Sequence, residues 1–113
     1  MSLSHNASIF LGTVLLVLLP LSFSMAAAPS AARQAELEHL LTQDCGACHG
    51  LYLTGGLGPP LTPQALAGKS RASLIATISE GRPGTAMPAW KALLSEPDIA
   101  WLVDLLPTRA PRP

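Results

Sequence analysis

Both cysteines of the 113-residue chain fall in one pentapeptide, Cys45-Gly46-Ala47-Cys48-His49. This limits the fold more than any other feature, because two thiols three positions apart, with an imidazole next in line, occupy a single helical turn. Three chemistries use such a turn. A bare C-x-x-C can be a redox disulfide, but that motif belongs to a βαβ pattern, and no strand-rich pattern is visible in this chain. It can be half of a zinc site, but the second ligand pair is missing: only His5 and His39 remain, and His5 lies in a segment read below as a removable leader. C-x-x-C-H is the specific signature of c-type haem attachment. The spacing has a chemical reason. The thiols reach the two vinyl groups on one side of a porphyrin, and the next residue is then held under the iron as its proximal ligand. Cys45 and Cys48 are thus read as thioether anchors, and His49 as an axial iron ligand, of one covalently bound haem c.

A haem iron that carries electrons takes a second axial ligand. Thioether sulfur, soft and neutral, favours the ferrous state and raises the potential. Met1 and Met25 fall in the presumed leader, which leaves Met87, within Gly81-Arg-Pro-Gly-Thr-Ala-Met87-Pro88-Ala-Trp90. A methionine that only fills a core gap would sit among periodic apolar neighbours. This loop has none, and Pro83 and Pro88 stiffen it, which suits a ligand that must be held in place. Met87 is the candidate distal ligand.

The segment Gly55-Gly56-Leu57-Gly58-Pro59-Pro60-Leu61 would, in isolation, be an ordinary loop. Soon after His49, its glycines let the backbone approach the macrocycle. A carbonyl in a proline-stiffened loop can also accept the His49 Nδ1–H and fix the ring. Pro59 is the candidate for that carbonyl, and Leu61 for a side chain lining the haem pocket. No residue is assigned a catalytic role, and the expected activity is electron transfer without substrate chemistry.

The composition is a mixture of two segments. The chain is 49% apolar and 12% charged, with a mean hydropathy of +0.37. Every Lys, Arg, Asp and Glu lies between Arg33 and Arg112. Ile9 to Phe23 is an apolar run interrupted by Gly12, Thr13, Pro20 and Ser22, too short and too broken to span a bilayer comfortably. Small residues follow it, and Ser24-Met25-Ala26 and Ala26-Ala27-Ala28 both fit the cleavage rule of a secretory signal peptide. The n-region, MSLSHNAS, has no Lys or Arg, and an uncleaved anchor is the rival reading. Export is favoured, and with it an oxidising compartment, the bacterial periplasm. The chain divides into a leader at 1–28, a mono-haem domain at 29–107 and a Pro/Arg tail at 108–113, with no stable membrane insertion after cleavage. A formal net charge of +0 argues against nucleic acid as a partner.

The periodicity predicts helices only. Ala32 to Gln43 places Leu37 and Leu41 at i, i+4, and continuing the step reaches Cys45 and Cys48. From Ser70, as N-cap, Leu74, Ile75 and Ile78 mark a second helix that Gly81 ends. Ser95-Glu96-Pro97-Asp98 reads as a capping-box start for a third, with Ile99, Leu102, Val103 and Leu106 on one face and Pro107 as its stop. A short turn is expected between Thr62-Pro63 and Gly68. The fold class is all-α, three to four helices around the haem. About 85 residues would remain after cleavage, few for a self-sufficient core, and a covalent haem supplies the missing apolar centre. Trp101 is expected against the first helix and Trp90 at the haem pocket, with His39 a partly exposed helix residue; Tyr52 is left open between surface and haem.

In this order, Cys45-x-x-Cys48-His49, Gly58-Pro59-x-Leu61, Leu74-x-x-x-Ile78-x-x-Gly81, Met87-Pro88 and a terminal helix with an aromatic, the chain resembles the class I cytochromes c over essentially its whole mature length. The resemblance implies crossed N- and C-terminal helices, low-spin His/Met haem and electron transfer at an exposed haem edge. Leu41 stands where that family often has an aromatic, so the crossing is expected to pack differently. The segments CGACHGLYLTGGLGPPLTPQALAGK and EGRPGTAMPAW resemble, more closely, the small periplasmic cytochromes of denitrifiers encoded with the haem-cd nitrite reductase. That resemblance implies a carrier donating to this reductase or assisting maturation of its specialised haem, fed by a membrane quinol-oxidising donor.

Charge placement adds an expectation about docking. Lys69, Arg71, Arg82 and Lys91 against Glu80 make a basic stretch, whereas Arg33 to Gly50 is acidic. The basic stretch is expected to rim the haem edge and steer a monomeric carrier to an acidic patch; the rival is an ordinary mixed surface. Besides the soluble shuttle, an open-iron sensor or peroxidase and an assembly factor remain as alternatives. The open-iron reading requires that Met87 not ligate.

Overall fold

The computed structural model describes residues 26–108. The expected leader, apart from Ala26–Ala28, and the expected tail, apart from Thr108, lie outside the described residues. The elements are α1 (Ala31–Leu40), a π-helical turn (Leu41–Cys45), α2 (Gly46–His49), α3 (Pro63–Leu66), α4 (Arg71–Glu80), α5 (Glu96–Leu105) and a 3₁₀ turn (Leu106–Thr108). No strand occurs among the described residues, and the fold is all-α.

Hydroxyl side chains start the helices. Ser30, Thr62, Ser70 and Ser95 accept from the N–H groups of Arg33, Ala65, Ser73 and Asp98, respectively. Each satisfies one of the donors that a helix N-terminus leaves without an internal partner. At α5 the cap is reciprocal: Asp98 Oδ2 accepts from Ser95 N–H at 3.1 Å. Pro97, in the first turn, loses nothing by lacking an N–H there. The α5 helix stops at Leu105, and Pro107 falls inside the closing 3₁₀ turn.

The core is aliphatic. Leu37 and Leu41 from the first helical segment meet Ile99, Leu102 and Leu106 from the last, with Leu53, Leu66 and Leu94 contributed by loops and α3. Leu37 is 0% exposed and Ile99 1%. Half-buried Leu74, Ile75 and Ile78 of α4, together with Trp90 and Trp101, pack against this cluster. Leu41 is buried within it.

One polar link spans the crossing of the first and last helices. Arg33 Nε and Nη2 donate to the two carboxylate oxygens of Asp98 at 3.3 and 3.0 Å, and Nη1 reaches Glu36 at 2.8 Å. The Asp98 carboxyl, buried and held mainly by Arg33 with help from Ser95, titrates below the usual carboxylate range. Among the described residues, no helix is long and apolar enough to cross a membrane.

Candidate haem site

The site is built where the first helix ends. Beyond Leu40 the backbone widens into the π turn, whose Gly46 N–H bonds the Leu41 carbonyl, five residues back. Thr42 Oγ1 donates to the Glu38 carbonyl at 3.0 Å within the same stretch. The helix then runs one more turn and breaks after His49, at Gly50 with φ +90°. Cys45, Cys48 and His49 are thereby gathered on about one and a half turns, all half-buried. Neither cysteine is in a disulfide. Burial pushes the Cys45 thiol up to about 11, with the charges of Asp44 and Cys48 adding to it.

The segment 50–61 is fastened to the end of this helix by backbone hydrogen bonds. Gly58 N–H donates to the Cys48 carbonyl and Gly55 N–H to the His49 carbonyl, both at 2.8 Å. Helix-end carbonyls that would otherwise lack partners are thus satisfied by the loop. Leu53 adopts φ +57°, unusual for a branched apolar residue, and its buried side chain holds it there. Its N–H bonds the Gly50 carbonyl, and its carbonyl accepts from Leu61 N–H.

This fastening brings the Pro59 carbonyl to 2.7 Å from His49 Nδ1. A carbonyl only accepts, so Nδ1 carries a proton, and it is Nε2 whose lone pair the neutral ring offers to a metal. Gly58 sits against the imidazole face: a Cβ built there would lie 2.9 Å from His49 Cε1 and Nδ1. Only glycine lets the loop approach this closely.

The Met87 loop is tied down in the same manner. Arg82 N–H donates to the Met87 carbonyl at 3.1 Å, and Met87 N–H to Thr85 Oγ1 at 3.3 Å. Gly81, at φ +68°, abuts the strip 87–89: a Cβ there would stand 2.7 Å from the Met87 carbonyl oxygen. Beyond the loop, Trp90 N–H bonds the Ile78 carbonyl at 3.0 Å. Met87 is half-buried, and Leu61, Trp90 and Cys45 are half-buried against the core.

This donor set suits haem c. It offers two unbridged thiols on one helical turn, an imidazole whose tautomer leaves Nε2 free, a thioether on a fastened loop and apolar flanks. Sequence reasoning missed Leu53, because leucine does not announce a left-handed backbone, and read Gly81 as a helix stop without its contact to Met87. Tyr52 is at the surface, 50% exposed, and so is His39.

Two cations of the basic stretch are ion-paired. Arg71 is engaged by Asp104 of α5 through two contacts at 2.6 and 2.8 Å, and Lys91 by Glu80 at 2.7 and 2.9 Å. Among the described residues no ion pair engages Arg82 or Lys69.

A helical frame closed over a C-x-x-C-H turn defines a c-type cytochrome. The family described as "Cytochrome C oxidase, cbb3-type, subunit III" matches residues 32–106. The chain is 59% identical over 113 residues, the full length of both proteins, to cytochrome c55X of Stutzerimonas stutzeri. It superposes on a solved c-type cytochrome NirC with a TM-score of 0.71 and 62% identity, over 75% of this chain and 100% of that one. It is also 37% identical over 81 residues to dihydro-heme d1 dehydrogenase of Pseudomonas aeruginosa, covering 72% of this chain but 16% of that larger protein. The chain belongs to this cytochrome family and, within it, to the small class I cytochromes c of the NirC type. It binds covalently attached haem c and is an electron-transfer protein.

Proposed function

We propose that the protein is a periplasmic mono-haem electron carrier of denitrification that passes electrons to the haem-cd nitrite reductase or serves the maturation of that enzyme's specialised haem. The observation that carries the carrier reading is the 2.7 Å His49–Pro59 bond at the end of a C-x-x-C-H turn, which fixes a metal-ready Nε2. Kinship with a dihydro-heme d1 dehydrogenase supports the maturation branch.

In this reading Cys45 and Cys48 would hold the haem as thioethers, His49 Nε2 and the Met87 sulfur would ligate its iron, and Leu61 would line the pocket. When bound, the group supplies one-electron exchange between ferric and ferrous iron. The chain's own contribution is to keep both ligands still. Pro59 and Gly58 fix the imidazole plane, while Gly81, Arg82 and Thr85 hold the Met87 backbone, so little rearrangement accompanies a change of charge. The leader at 1–28 directs export and is removed, the domain at 29–107 works as a monomer, and 108–113 is a tail. A membrane quinol-oxidising protein supplies the electrons.

Stopped-flow mixing of the reduced protein with the haem-cd nitrite reductase tests the donor role. Rapid oxidation that saturates with reductase concentration is expected. Oxidation no faster than with an unrelated acceptor would remove that role. Loss of the reductase's specialised haem on gene deletion would then favour the maturation branch.

A further inference from the structure

The π turn interrupts the first helix immediately before the attachment motif, at a place where the residues alone read as continuous α-helix. In an α-helix each residue turns about 100° about the axis. Carried from Leu37 in unbroken α register, His49 would then point about 120° away from the buried stripe, Cys45 about 80° away and Gly46 to the opposite side. A π turn takes one extra residue, so every later position falls back by about one α step. In the shifted register both His49 and Cys45 lie within about 20° of Leu37, and Ala47 points directly outward.

Burial follows the shifted register. Gly46 is buried, Cys45 packs against the core and Ala47 is exposed. The Gly46 N–H bond to the Leu41 carbonyl, rather than to Thr42, is the local cause. Gln43 and Asp44 are exposed on this turn, so the extra residue costs no packing.

We infer that the π turn is a positioning element: the added residue between Leu41 and Gly46 rotates Cys45 and His49 onto the core-facing stripe, so that core packing and the His49–Pro59 bond can form together. The inference rests on the His49/Met87 ligation proposed above. What positions the ligand is the number of residues in the turn, not their identity, with Gln43 the dispensable side chain.

The experiment uses exported, haem-loaded protein. Gln43→Ala keeps the length and should retain the ferric methionine–iron charge-transfer band and the wild-type midpoint potential. Deletion of Gln43 should abolish the band and shift the potential. Deletion of Gln43 together with insertion of one alanine between Leu41 and Thr42 should restore both. Leu37→Ala weakens the fold without changing the register and should keep the band at low temperature, which separates misplacement from lost stability. In the wild-type protein, the through-hydrogen-bond NMR coupling of the Gly46 amide should go to the Leu41 carbonyl, whether or not any variant folds. A coupling to Thr42, a deletion variant with the wild-type band and potential, or failure of the re-lengthened turn to restore them would each overturn the inference. A wild-type protein lacking the band would instead sink the ligation proposal while the coupling still reports on the turn.

Discussion

Where α1 crosses α5, Leu37, Ile99 and Leu102 are almost wholly buried, and Asp98 both caps its own helix and pairs with Arg33 across the crossing. The loops at 50–61 and 81–90 differ. Of their residues only Leu53 and Gly81 are buried, and the chain is held instead by backbone hydrogen bonds and by glycines pressed against His49 and Met87. Burial is non-directional and tolerates small shifts. Hydrogen bonds and sub-van-der-Waals margins fix distances and angles. The crossing therefore sets how stable the molecule is, and the loops, together with the π turn, set where His49 and Met87 stand.

Substitutions in the two regions should separate these effects. Leu37→Ala leaves a cavity in the core and should cost about 3 kcal/mol of stability, read by thermal unfolding, with the ferric spectrum at low temperature unchanged. Gly58→Ala should cost less, about 2 kcal/mol of overpacking, but should weaken or abolish the methionine–iron band, because its methyl group displaces the imidazole. If Gly58→Ala left the band intact, or Leu37→Ala removed it, the division of labour would be wrong. Ser95→Ala removes one half of the α5 capping box and should cost about 1 kcal/mol, again without a spectral change.

The pH dependence belongs to the crossing. The folded Asp98 carboxyl titrates below its unfolded value, so its contribution is complete above about pH 5 and is lost as pH falls through about 4 and below. Melting curves of Asp98→Asn should be less stable at neutral pH and flatter than wild type over that acid range. The smallest effect concerns steering. Arg82→Glu should slow association with an acidic redox partner several-fold at low ionic strength and hardly at all at high salt. Arg71→Glu should act on stability instead, through the lost Asp104 pair.

The crossing was more legible than the loops. Ser95, Pro97, Asp98 and the face Ile99, Leu102, Val103, Leu106 announce α5, because caps and apolar spacing are local signals. Cys45, Cys48, His49, Met87, Pro59 and Leu61 were candidates because the attachment motif limits what the neighbouring loops can do, and of these the structure joins His49 and Pro59 by a hydrogen bond. The π turn was not visible, since Leu37 and Leu41 at i, i+4 read as α-helix and an added residue has no side-chain signature. Nor were the Arg71–Asp104 and Lys91–Glu80 pairs, whose partners meet only through the fold. Charge counted along the chain therefore does not say which cations are paired.

The most direct measurement is the ferric visible spectrum of exported, haem-loaded wild-type protein beside Met87→Ala. A methionine–iron charge-transfer band at the red end of the wild-type spectrum, absent in the variant, is the predicted result. A wild-type spectrum without the band, or a band that persists in Met87→Ala, would contradict His49/Met87 ligation.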